Sequence, residues 1–413
     1  MAATTSNLRE RVRRLLGAER LLPALDGLPP AYLVGGAVRD LLRGADSVDL
    51  DVAVEGDARS VARALAERLG GTAREHERFG TANVLADDVA LDLAATRTET
   101  YPEPGALPVV RPASLAEDLG RRDFAINAMA LGLSGDDLGH LYDPCGGLAD
   151  LDTGTVRVLH EFSFVDDPTR LLRAVRYETR LGFRMDPDTE RLAREAVASG
   201  SLETVSGARI RDELMDLLRE IDAPSGVERL RDLELVQALH PLLVPDPQLV
   251  ASAALGAVAI GADRAVAALA ALVACAPAEL DLWLADLHLL ASERDAAGRA
   301  ARVAPRIAAA LREREHEPSE LADLLAAEPP EVLALALAFG APSEPILRWI
   351  GQLRGVRLEI GGGDLLAAGV PEGPVLGRAL EETLRRKLDG IVSGREQELE
   401  TALMLARQEE GAA

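Results

Sequence analysis

The segment that decides the fold reads Tyr32-Leu-Val-Gly-Gly-Ala-Val-Arg-Asp-Leu-Leu42, and Ser47-Val-Asp-Leu-Asp-Val-Ala-Val54 follows shortly after it. The first segment predicts a strand, a turn of two glycines and a helix. Because Gly35 and Gly36 carry no side chain, a ligand can approach the backbone there, and the free N–H groups at the helix start favour an anion. Arg39 adds a positive charge in the first turn of that helix. Alone, two glycines before a helix are more often an ordinary turn.

The second segment carries two aspartates in an apolar strand. Strand alternation places Asp49 and Asp51 on one face and the aliphatic side chains on the other. Two like charges at this spacing are tolerable if a divalent cation lies between them or if both face water. For an isolated pair these alternatives are equally good. Next to the glycine turn and Arg39, however, the pair favours phosphoryl or nucleotidyl transfer.

The composition sets wider limits. The chain has 413 residues, 48% of them hydrophobic and 3% aromatic, so we expect two or three domains with aliphatic cores. Its 45 basic and 68 acidic residues give a net charge of −23, which disfavours a polyanionic partner unless the arginines form a local patch. Lys387 is the only lysine of the sequence. This excludes a P-loop NTPase, because that motif requires a lysine after its glycines.

Cysteines and apolar segments bear on the location of the protein. Cys145 and Cys275 are too few for a disulfide scaffold and indicate a reducing compartment, which we expect to be the cytoplasm. The first residues lack the apolar run of a secretory signal, and the most apolar segment, 249–262, is too short to span a bilayer. We therefore expect no membrane association, and no motif indicates an obligate protein partner.

Residues 28–160 alternate between strand-like and helix-like patterns, which predicts an α/β or α+β head domain. An N-terminal segment, 1–27, precedes it and contains a predicted helix over 5–22. The remainder is predicted to be helical, with a neck over 161–225 and a body and tail over 226–413. The predicted elements of the head are strands 31–34, 48–54, 81–85 and 89–94, helices 37–42, 58–69 and 124–131, and a proline-rich loop over 100–114.

Further charged groups of the head invite a functional interpretation. Asp92 stands alone in an apolar strand, where a carboxylate is costly without a partner, so it either lies near a metal or pairs with Arg97. Both alternatives remain open. The stretch Arg121-Arg-Asp-Phe-Ala-Ile-Asn-Ala-Met129 places two arginines at a predicted helix start, with Asn127 one turn later. Arginine opposes the dipole of a helix N-terminus, so we expect an anionic ligand there, with a salt-bridged helix end as the alternative.

The stretch Asp166-Asp-Pro-Thr-Arg-Leu-Leu-Arg-Ala-Val-Arg176 predicts another helix, capped by Asp166 or Asp167. Asp167 and Arg170, three residues apart, are predicted neighbours at its start. The later arginines of the helix gather on one side and form a basic surface in an acidic chain. Taken by itself, a solvated helix face explains this pattern.

In order and spacing these motifs resemble one family, the class II tRNA nucleotidyltransferases with the related bacterial poly(A) polymerases. The resemblance covers about residues 30–215, and a weaker resemblance includes the tail from Ile360. The stretches that carry it are Gly35-Gly-Ala-Val-Arg-Asp-Leu-Leu42 with Asp49-Leu-Asp51, Arg121-Arg-Asp-Phe-Ala-Ile-Asn-Ala128, Asp143-Pro-Cys-Gly-Gly-Leu-Ala-Asp-Leu151, Asp166-Asp-Pro-Thr-Arg-Leu-Leu-Arg-Ala-Val-Arg-Tyr177 and Ser206-Gly-Ala-Arg-Ile-Arg-Asp-Glu-Leu214.

The resemblance implies a polymerase-β-like nucleotidyltransferase head followed by an all-α neck, body and tail. It also implies a template-independent enzyme that uses Mg²⁺ and adds CCA, from CTP and ATP, to the 3′ acceptor end of tRNA. Asp49 and Asp51 would be its catalytic, magnesium-binding residues. The nucleotide-binding residues that the resemblance implies are Gly36, Arg39, Arg122, Asp123, Asn127, Asp167, Arg170, Arg173 and Arg176.

The choice of base follows from hydrogen-bond chemistry. Cytosine and adenine each present an amino donor beside a ring-nitrogen acceptor, which complements an accepting Asp167 and a donating Arg170, whereas uracil and guanine invert this pattern. Asp166 stands where the family usually has glutamate, which leaves its role open. Addition of CCA, of the terminal A alone, or of poly(A) also remains open. A non-catalytic RNA- or nucleotide-binding protein is a remote alternative, disfavoured by the intact charged groups.

Overall fold

A computed structural model describes residues 5–45, 49–76 and 80–410. The chain divides into two compact units, residues 1–239 and residues 240–413. Val48, the first residue of the predicted strand 48–54, lies outside the described residues. The first unit contains the strands and the residues of the predicted site, and the second unit is helical.

A seven-stranded mixed sheet forms the centre of the first unit. Its described strands, with two short ribbons beside the sheet, are β1 (Ala31–Val34), β2 (Leu50–Val54), β3 (Thr72–His76), β4 (Thr81–Ala86), β5 (Val89–Ala95), β6 (Arg97–Thr100), β7 (Val109–Pro112), β8 (Ala130–Gly132), β9 (Leu141–Tyr142), β10 (Thr155–Val156) and β11 (Arg184–Met185). The order in the sheet is β3-β4-β5-β2-β1-β8-β9, while β6 pairs with β7 and β10 with β11. Strands β2 and β5 run parallel, and this register places Asp51 beside Asp92.

Helices cover the sheet and continue to the end of the unit. The described helices are α1 (Thr5–Arg13), α2 (Ala18–Ala24), α3 (Gly36–Arg43), α4 (Ala58–Leu69), α5 (Leu115–Gly120), α6 (Gly147–Thr153), α7 (Ser163–Asp166), α8 (Thr169–Leu181), α9 (Pro187–Ala198), α10 (Gly207–Arg219), α11 (Ala223–Asp232) and α12 (Leu235–Leu239), with 3₁₀ turns at Ala125–Asn127, Gly135–Asp137 and Ser201–Thr204. In the helical part, the buried carboxylate of Glu178 on α8 pairs with Arg229 on α11 at 2.8 Å.

Side-chain alternation gives the two faces of the sheet different roles. Leu33 and Val52 belong to the large core that includes side chains of α1 to α4. Tyr32 and Ala53 point to the opposite face, where they pack with Leu115 of α5. Asp51 precedes Val52 by one residue and therefore shares this second face, which leaves its carboxylate outside the aliphatic core.

The second unit consists of helices around an aliphatic, alanine-rich core. Its described helices are α13 (Pro247–Ile260), α14 (Arg264–Val273), α15 (Asp281–Asp286), α16 (Ala291–Glu313), α17 (Pro318–Leu325), α18 (Pro330–Ala338), α19 (Ser343–Arg348), α20 (Gly362–Ala367), α21 (Pro374–Leu388) and α22 (Gly394–Glu410), with a π-helical turn at Trp349–Leu353. Among the helices that the structure describes, none has both the length and the apolar character needed to cross a bilayer.

Two local predictions are wrong, and a third is right only in part. The predicted helix over 5–22 is two helices, because Gly17 adopts a left-handed conformation with φ of 76° between α1 and α2. The predicted proline-rich loop 100–114 is right for residues 101–108, but strands flank these residues, because β6 ends at Thr100 and β7 spans Val109–Pro112 and pairs with it. The predicted helix 124–131 is a single 3₁₀ turn followed by β8. All of its residues are buried, so the apolar side chains do not alternate with polar ones at the period of a helix or of a strand, and the pattern could not separate the two.

Candidate active site

The glycine turn after β1 makes room for an arginine. Gly35 has a φ of 68°, a conformation that disfavours side chains, and an added Cβ atom would lie 2.8 Å from Nη1 of Arg122. Gly36 then begins α3, and an added Cβ there would lie 3.4 Å from Nη2 of Arg39. Glycine is therefore favoured at position 35 by its backbone conformation and by the close approach of Arg122, whereas at position 36 an added Cβ would make only an ordinary contact with Arg39.

Arg39 is fixed from several sides. The residue is 2% exposed, although it belongs to the first turn of a surface helix. Its Nε and Nη2 donate to the two carboxylate oxygens of Asp40, each at 2.9 Å, and its Nη1 donates to Oδ1 of Asn127 at 2.7 Å. The guanidinium carbon also lies 5.2 Å from the centre of the Tyr177 ring. These contacts hold the cation in one orientation at the cavity wall.

The two aspartates of the predicted metal pair lie at the start of β2. Asp49 and Asp51 are exposed and line the same cavity. Although Asp51 is exposed as a residue, partial burial of its carboxyl group raises its pKa, the negative charges of Asp92 and Asp49 raise it further, and Arg122 lowers it. The carboxylates therefore repel one another in the absence of a cation.

This surplus of negative charge fits a divalent cation. In the described part of the chain, no group of three or more His, Cys, Asp or Glu residues is arranged as a metal site. Asp49 and Asp51 would thus supply only part of a coordination shell. Magnesium commonly binds through one or two carboxylates, keeps water ligands and accepts substrate phosphates, so a partial protein shell suits it.

Asp92 is a neighbour of this pair and is held by an amide. Its carboxylate accepts a hydrogen bond from Nδ2 of Asn83 on β4. Oδ1 of Asn83 lies 2.7 Å from Nε2 of His76 on β3. Arg97 instead donates to Glu99, so the alternative in which Asp92 pairs with Arg97 is wrong.

The arginine pair follows a helix end. Arg121 is the C-cap of α5, and this contradicts the prediction of a helix start and the dipole argument built on it. Asp118, which is 1% exposed, accepts from Nη2 of Arg121 at 2.7 Å and from Nη2 of Arg122 at 3.0 Å. Burial alone would raise the pKa of Asp118, but Arg122 and Arg121 lower it overall. The arginines are therefore positioned by a buried carboxylate.

Asp123 and Asn127 form a buried network under the cavity. Oδ1 of Asp123 accepts from the backbone N–H of Phe124 at 2.8 Å and from Nδ2 of Asn127 at 3.1 Å. Its Oδ2 lies 2.7 Å from Nη2 of Arg173. Burial would raise the pKa of Asp123, but the charge of Arg173, the bond from Asn127 and the charge of Arg170 lower it overall. This network fixes the orientation of Arg173.

Asp167 and Arg170 lie at another part of the same cavity. Oδ1 of Asp167 accepts from the backbone N–H of Thr169, the first residue of α8, at 3.1 Å and from its hydroxyl at 2.6 Å, while Pro168 is the N-cap residue of this helix. Arg170 is 4% exposed and donates to the hydroxyl of Ser163 at 2.6 Å and to the carbonyl of Arg121 at 3.0 Å. Arg170 is thus buried, whereas the sequence placed it on a helix surface.

The cavity that unites these groups has a volume of about 540 Å³. Its lining residues are Gly35, Gly36, Ala37, Arg39, Asp40, Asp49, Asp51, Arg97, Glu99, Tyr101, Pro108, Arg121, Arg122, Asp123, Asn127, Asp167, Arg170, Arg173, Tyr177 and Arg180. Seven of them are arginines and six are carboxylates, so the cavity is close to neutral in a strongly acidic chain. A triphosphate with divalent cations is a ligand of matching charge.

Arg176 differs from the other predicted nucleotide-binding residues, because it is not among the residues that line this cavity. Its guanidinium pairs with Asp216 at 2.5 Å and with Glu213 at 3.2 Å, both on α10. This placement connects α8 to α10.

Several cavity residues escaped the sequence analysis. Glu99 and Tyr101 were assigned no role, and Arg97 was considered only as a partner of Asp92, although the alternation of these three residues predicts one polar face of a strand. Asp118 precedes the two arginines by three and four residues, the spacing at which helical side chains meet, and this signal could have identified it. For Tyr177, no local pattern separates a cavity residue from a core residue.

The mixed sheet with a carboxylate pair beside a glycine turn, followed by helices, is typical of a polymerase-β-like nucleotidyltransferase. Two family models match the chain, "Poly A polymerase head domain" over residues 31–157 and "Probable RNA and SrmB- binding site of polymerase A" over residues 182–246. The chain belongs to the family of tRNA nucleotidyltransferases and poly(A) polymerases, as the following relatives show.

An A-adding tRNA nucleotidyltransferase from Geobacter sulfurreducens is 37% identical over 401 residues, which are 91% of this chain and 45% of that protein. A CC-adding tRNA nucleotidyltransferase from Deinococcus radiodurans is 33% identical over 370 residues, 89% of this chain and 87% of that protein. The A-adding relative from Halalkalibacterium halodurans is matched over 49% of its length, so the chain spans about half or less of several curated relatives.

Solved structures agree over nearly the whole chain. The Thermotoga maritima CCA-adding enzyme complexed with tRNA has a TM-score of 0.75 and 31% identity, covering 97% of this chain and 98% of that one. A CCA-adding enzyme in complex with CTP has a TM-score of 0.76 and 30% identity, covering 97% and 98% respectively. The resemblance that the sequence analysis named is thereby confirmed, as is a polymerase-β-like head with a helical remainder.

Proposed function

We propose that this chain transfers nucleotides from CTP and ATP to the 3′ end of tRNA without a nucleic-acid template, and that it adds CCA. The observation that carries the proposal is the single cavity of about 540 Å³ that holds Asp49 and Asp51 together with Arg122, Asp167 and Arg170. A carboxylate pair, a cluster of cations and a hydrogen-bonding pair of opposite character are the groups that nucleotidyl transfer with base selection requires.

The arginines would bind the triphosphate. Arg122 approaches the glycine turn and is held by Asp118, and Arg39 is held by Asp40 and Asn127. Fixed cations stabilise developing phosphate charge without reorganising during the reaction. Asp123, Asn127 and Arg173 would form the floor under the ribose, as a network whose internal bonds keep it rigid. Arg176 would act indirectly, through the connection of α8 to α10.

Asp49 and Asp51 would hold magnesium. When bound, the metal lowers the pKa of the attacking hydroxyl and neutralises charge on the phosphates. The two carboxylates would position the metal at the start of β2, next to the glycine turn. Burial and the charges of Asp92 and Asp49 raise the pKa of Asp51, and a bound cation would offset this concentration of negative charge. Asp92 would add negative charge from the neighbouring strand, at the position that Asn83 fixes.

Asp167 and Arg170 would select the base by accepting from the amino group and donating to the ring nitrogen of cytosine or adenine. Asp167 is held by the backbone N–H of Thr169, and Arg170 is held by Ser163 and the carbonyl of Arg121. The two side chains therefore present a fixed arrangement of acceptor and donor, which the base must match. A mismatched base leaves buried polar groups unpaired, which is costly.

The helical residues after the head would bind the RNA. A neck over 161–225 and a body and tail over 226–413 remain our proposed division, and the RNA-binding family model covers residues 182–246. Neither Cys145 nor Cys275 forms a disulfide, which is compatible with a cytoplasmic protein.

Addition of the terminal A alone is a second candidate. The A-adding name of the Geobacter sulfurreducens relative favours it, whereas the CCA-adding neighbours favour the complete reaction. Extension of a tRNA that lacks CCA and of a tRNA that ends in CC, with CTP or ATP supplied singly, separates the two. A protein that adds CCA extends both RNAs, and a protein that adds only A extends only the second.

The same assay tests the site. Asp49→Ala and Asp51→Ala are expected to abolish extension while tRNA binding, measured by filter retention, stays within about twofold. Asp26→Ala is a matched control, because Asp26 is an exposed residue of the first unit outside the cavity. Near-normal extension by either active-site variant would overturn the assignment, and a wild-type protein that binds RNA without extending it would favour the non-catalytic alternative.

A further inference from the structure

A second cavity of the first unit, with a volume of about 500 Å³, lies beside α5. Apolar side chains form much of its wall, among them Leu115 and Leu119 of α5 and Leu141 of β9. Tyr32 and Tyr142 also line it, with their ring centres 5.4 Å apart and their planes at 85°. The cavity shares no lining residue with the active-site cavity. A concave space of this volume is of the size that small-molecule sites have.

The charge of this cavity differs from that of the active site, which holds seven arginines. Glu55 and Asp143 contribute carboxylates, and among the described residues that line the cavity none is lysine, arginine or histidine. Both oxygens of Asp143 already accept from backbone N–H groups, of Gly147 at 2.7 Å and of Leu148 at 3.0 Å. A phosphate or carboxylate ligand would meet like charge here without a counter-ion, so an anion is disfavoured.

Two polar groups of this cavity have capacity for a further hydrogen bond. Tyr32 is 6% exposed, and within the described ranges no protein group bonds its hydroxyl, which is not sealed from the cavity. Oε1 of Glu55 accepts from the backbone N–H of Leu115 at 2.7 Å, while no donor in the described part of the chain bonds Oε2. Since buried polar groups normally have partners, these two oxygens are the acceptors that a ligand would meet.

The tyrosine rings add to the attraction for a cation. Burial raises the pKa of the Tyr32 phenol, and the negative charges of Glu55 and Asp137 raise it further. Burial and hydrogen bonding to Asp137 raise the pKa of Tyr142 to about 12. Both phenols therefore stay neutral at physiological pH, and the negative charge of the cavity comes from its carboxylates. Aromatic rings and carboxylates attract the same ligands, organic cations.

We propose that this cavity binds a small-molecule amine, an alkylammonium ion with an apolar chain. Its N–H groups would bond Oε2 of Glu55 and the hydroxyl of Tyr32, and the tyrosine rings would add a cation–π attraction. Its chain would lie against the leucines of α5 and β9. A neutral apolar molecule leaves both acceptors unpaired, and a quaternary ammonium ion has no N–H to donate to them. The site lies apart from the proposed active site and does not depend on its activity.

Hexylamine is the probe, and hexanol is its uncharged match. The sequence has four tyrosines, of which Tyr32 and Tyr142 line this cavity and Tyr101 and Tyr177 line the active-site cavity. In the whole chain with ¹³C-labelled tyrosine, hexylamine is expected to shift the NMR signals of the first two only, with a Kd of about 1 mM. Hexanol should bind at least about tenfold more weakly. Equal affinity for both probes, or no shift of Tyr32 and Tyr142, would overturn the proposal.

Two substitutions test the groups that would bind the amine. Glu55→Gln removes the charge but keeps an oxygen for the N–H of Leu115, and it should weaken hexylamine binding about tenfold or more. Tyr32→Phe removes only the hydroxyl and should weaken binding about three- to tenfold. Glu67→Gln, on the exposed side of α4, loses the same charge outside the cavity and is the control, with an unchanged Kd.

An equal effect of Glu55→Gln and Glu67→Gln would show a diffuse attraction to an acidic chain and overturn the proposal, as would unchanged binding by both cavity variants. If Glu55→Gln does not fold, as judged by circular dichroism, Tyr32→Phe decides by the same Kd. Nα-acetyl-lysine N-methylamide presents the ammonium group as a protein side chain does. It should bind more weakly than hexylamine, and tighter binding would overturn the assignment to a small molecule.

Discussion

Replacing Asp118 by asparagine is expected to destabilise the first unit and weaken nucleotide binding together. The Asp118 carboxylate accepts two hydrogen bonds from Arg121 and one from Arg122. It accepts a fourth, at 3.2 Å, from the backbone N–H of Arg97. Removing one partner of a fully buried ion pair costs about 3–5 kcal/mol. The side chains of Arg121 and Arg122 are 20% and 18% exposed, and Arg121 keeps Glu99 as a partner at 2.7 Å.

We therefore expect a loss near about 2–3 kcal/mol, below the range for a fully buried pair. For a unit of this size, the corresponding shift of the melting temperature is about 4–12 °C. The pKa of Asp118 is lowered in the folded state, so its contribution is complete above the unfolded value of about 3.9 and disappears as the pH falls through the lower folded value. The difference between wild type and variant should accordingly vanish in acid.

Thermal melting followed by circular dichroism between pH 7 and pH 3 measures this difference. Glu67→Gln on the exposed side of α4 is the control for loss of one acidic charge. KM for CTP and ATP should rise about tenfold in Asp118→Asn, because Arg122 loses the carboxylate that positions it. A variant that melts with the control, or a stability difference that does not begin to shrink as the pH falls below about 3.9, would refute the reasoning.

Three other substitutions follow from the cavity. Gly35→Ala should reduce kcat/KM about tenfold or more, because the new Cβ atom would lie 2.8 Å from Arg122. Gly27→Ala is the control and should leave kcat/KM unchanged, because Gly27 has a similar φ of 73° but open space around its Cβ position. Equal kcat/KM values for the two variants would contradict this. Asp51→Asn should melt at a higher temperature than wild type in EDTA at pH 7, because the folded-state pKa of Asp51 is raised and the ionised carboxylate therefore destabilises the folded protein. Addition of Mg²⁺ should raise the melting temperature of the wild type only. A wild type that melts above the variant in EDTA would exclude the repulsion. Arg39→Lys should raise KM for CTP and ATP about tenfold, because lysine cannot reproduce the two-pronged bond that Arg39 makes, and an unchanged KM would count against its role.

The elements that could be predicted are those with local periodicity. β1 and α4 begin and end where apolar patterning and caps indicate, with Asp57 capping the start of α4 and Gly70 its end. The hairpin of β6 and β7 was missed because its prolines indicated a loop. Pro112 ends β7, and the two strands form a ribbon apart from the main sheet, a place where proline is tolerated.

The site could be predicted only in part, for reasons of distance along the chain. The carboxylate pair and the glycine turn are local motifs, and sequence alone identifies them. The bond between Arg209 and Asp167 joins residues 42 positions apart, and the bond between Arg209 and Gly105 joins residues 104 positions apart. Packing brings these groups together, so no spacing rule reveals them. The burial of Arg170 was missed for the same reason.

A single-turnover measurement tests the central claim most directly. Enzyme in excess binds a tRNA that lacks CCA and is mixed rapidly with saturating CTP and Mg²⁺, and the rate of the first phosphodiester bond is recorded for wild type and Asp51→Asn. The substitution keeps the size of the side chain and removes one charge of the pair. The account predicts a rate at least about 10³-fold lower with unchanged RNA affinity, since the chemistry depends on both carboxylates. A rate within tenfold of wild type would contradict it.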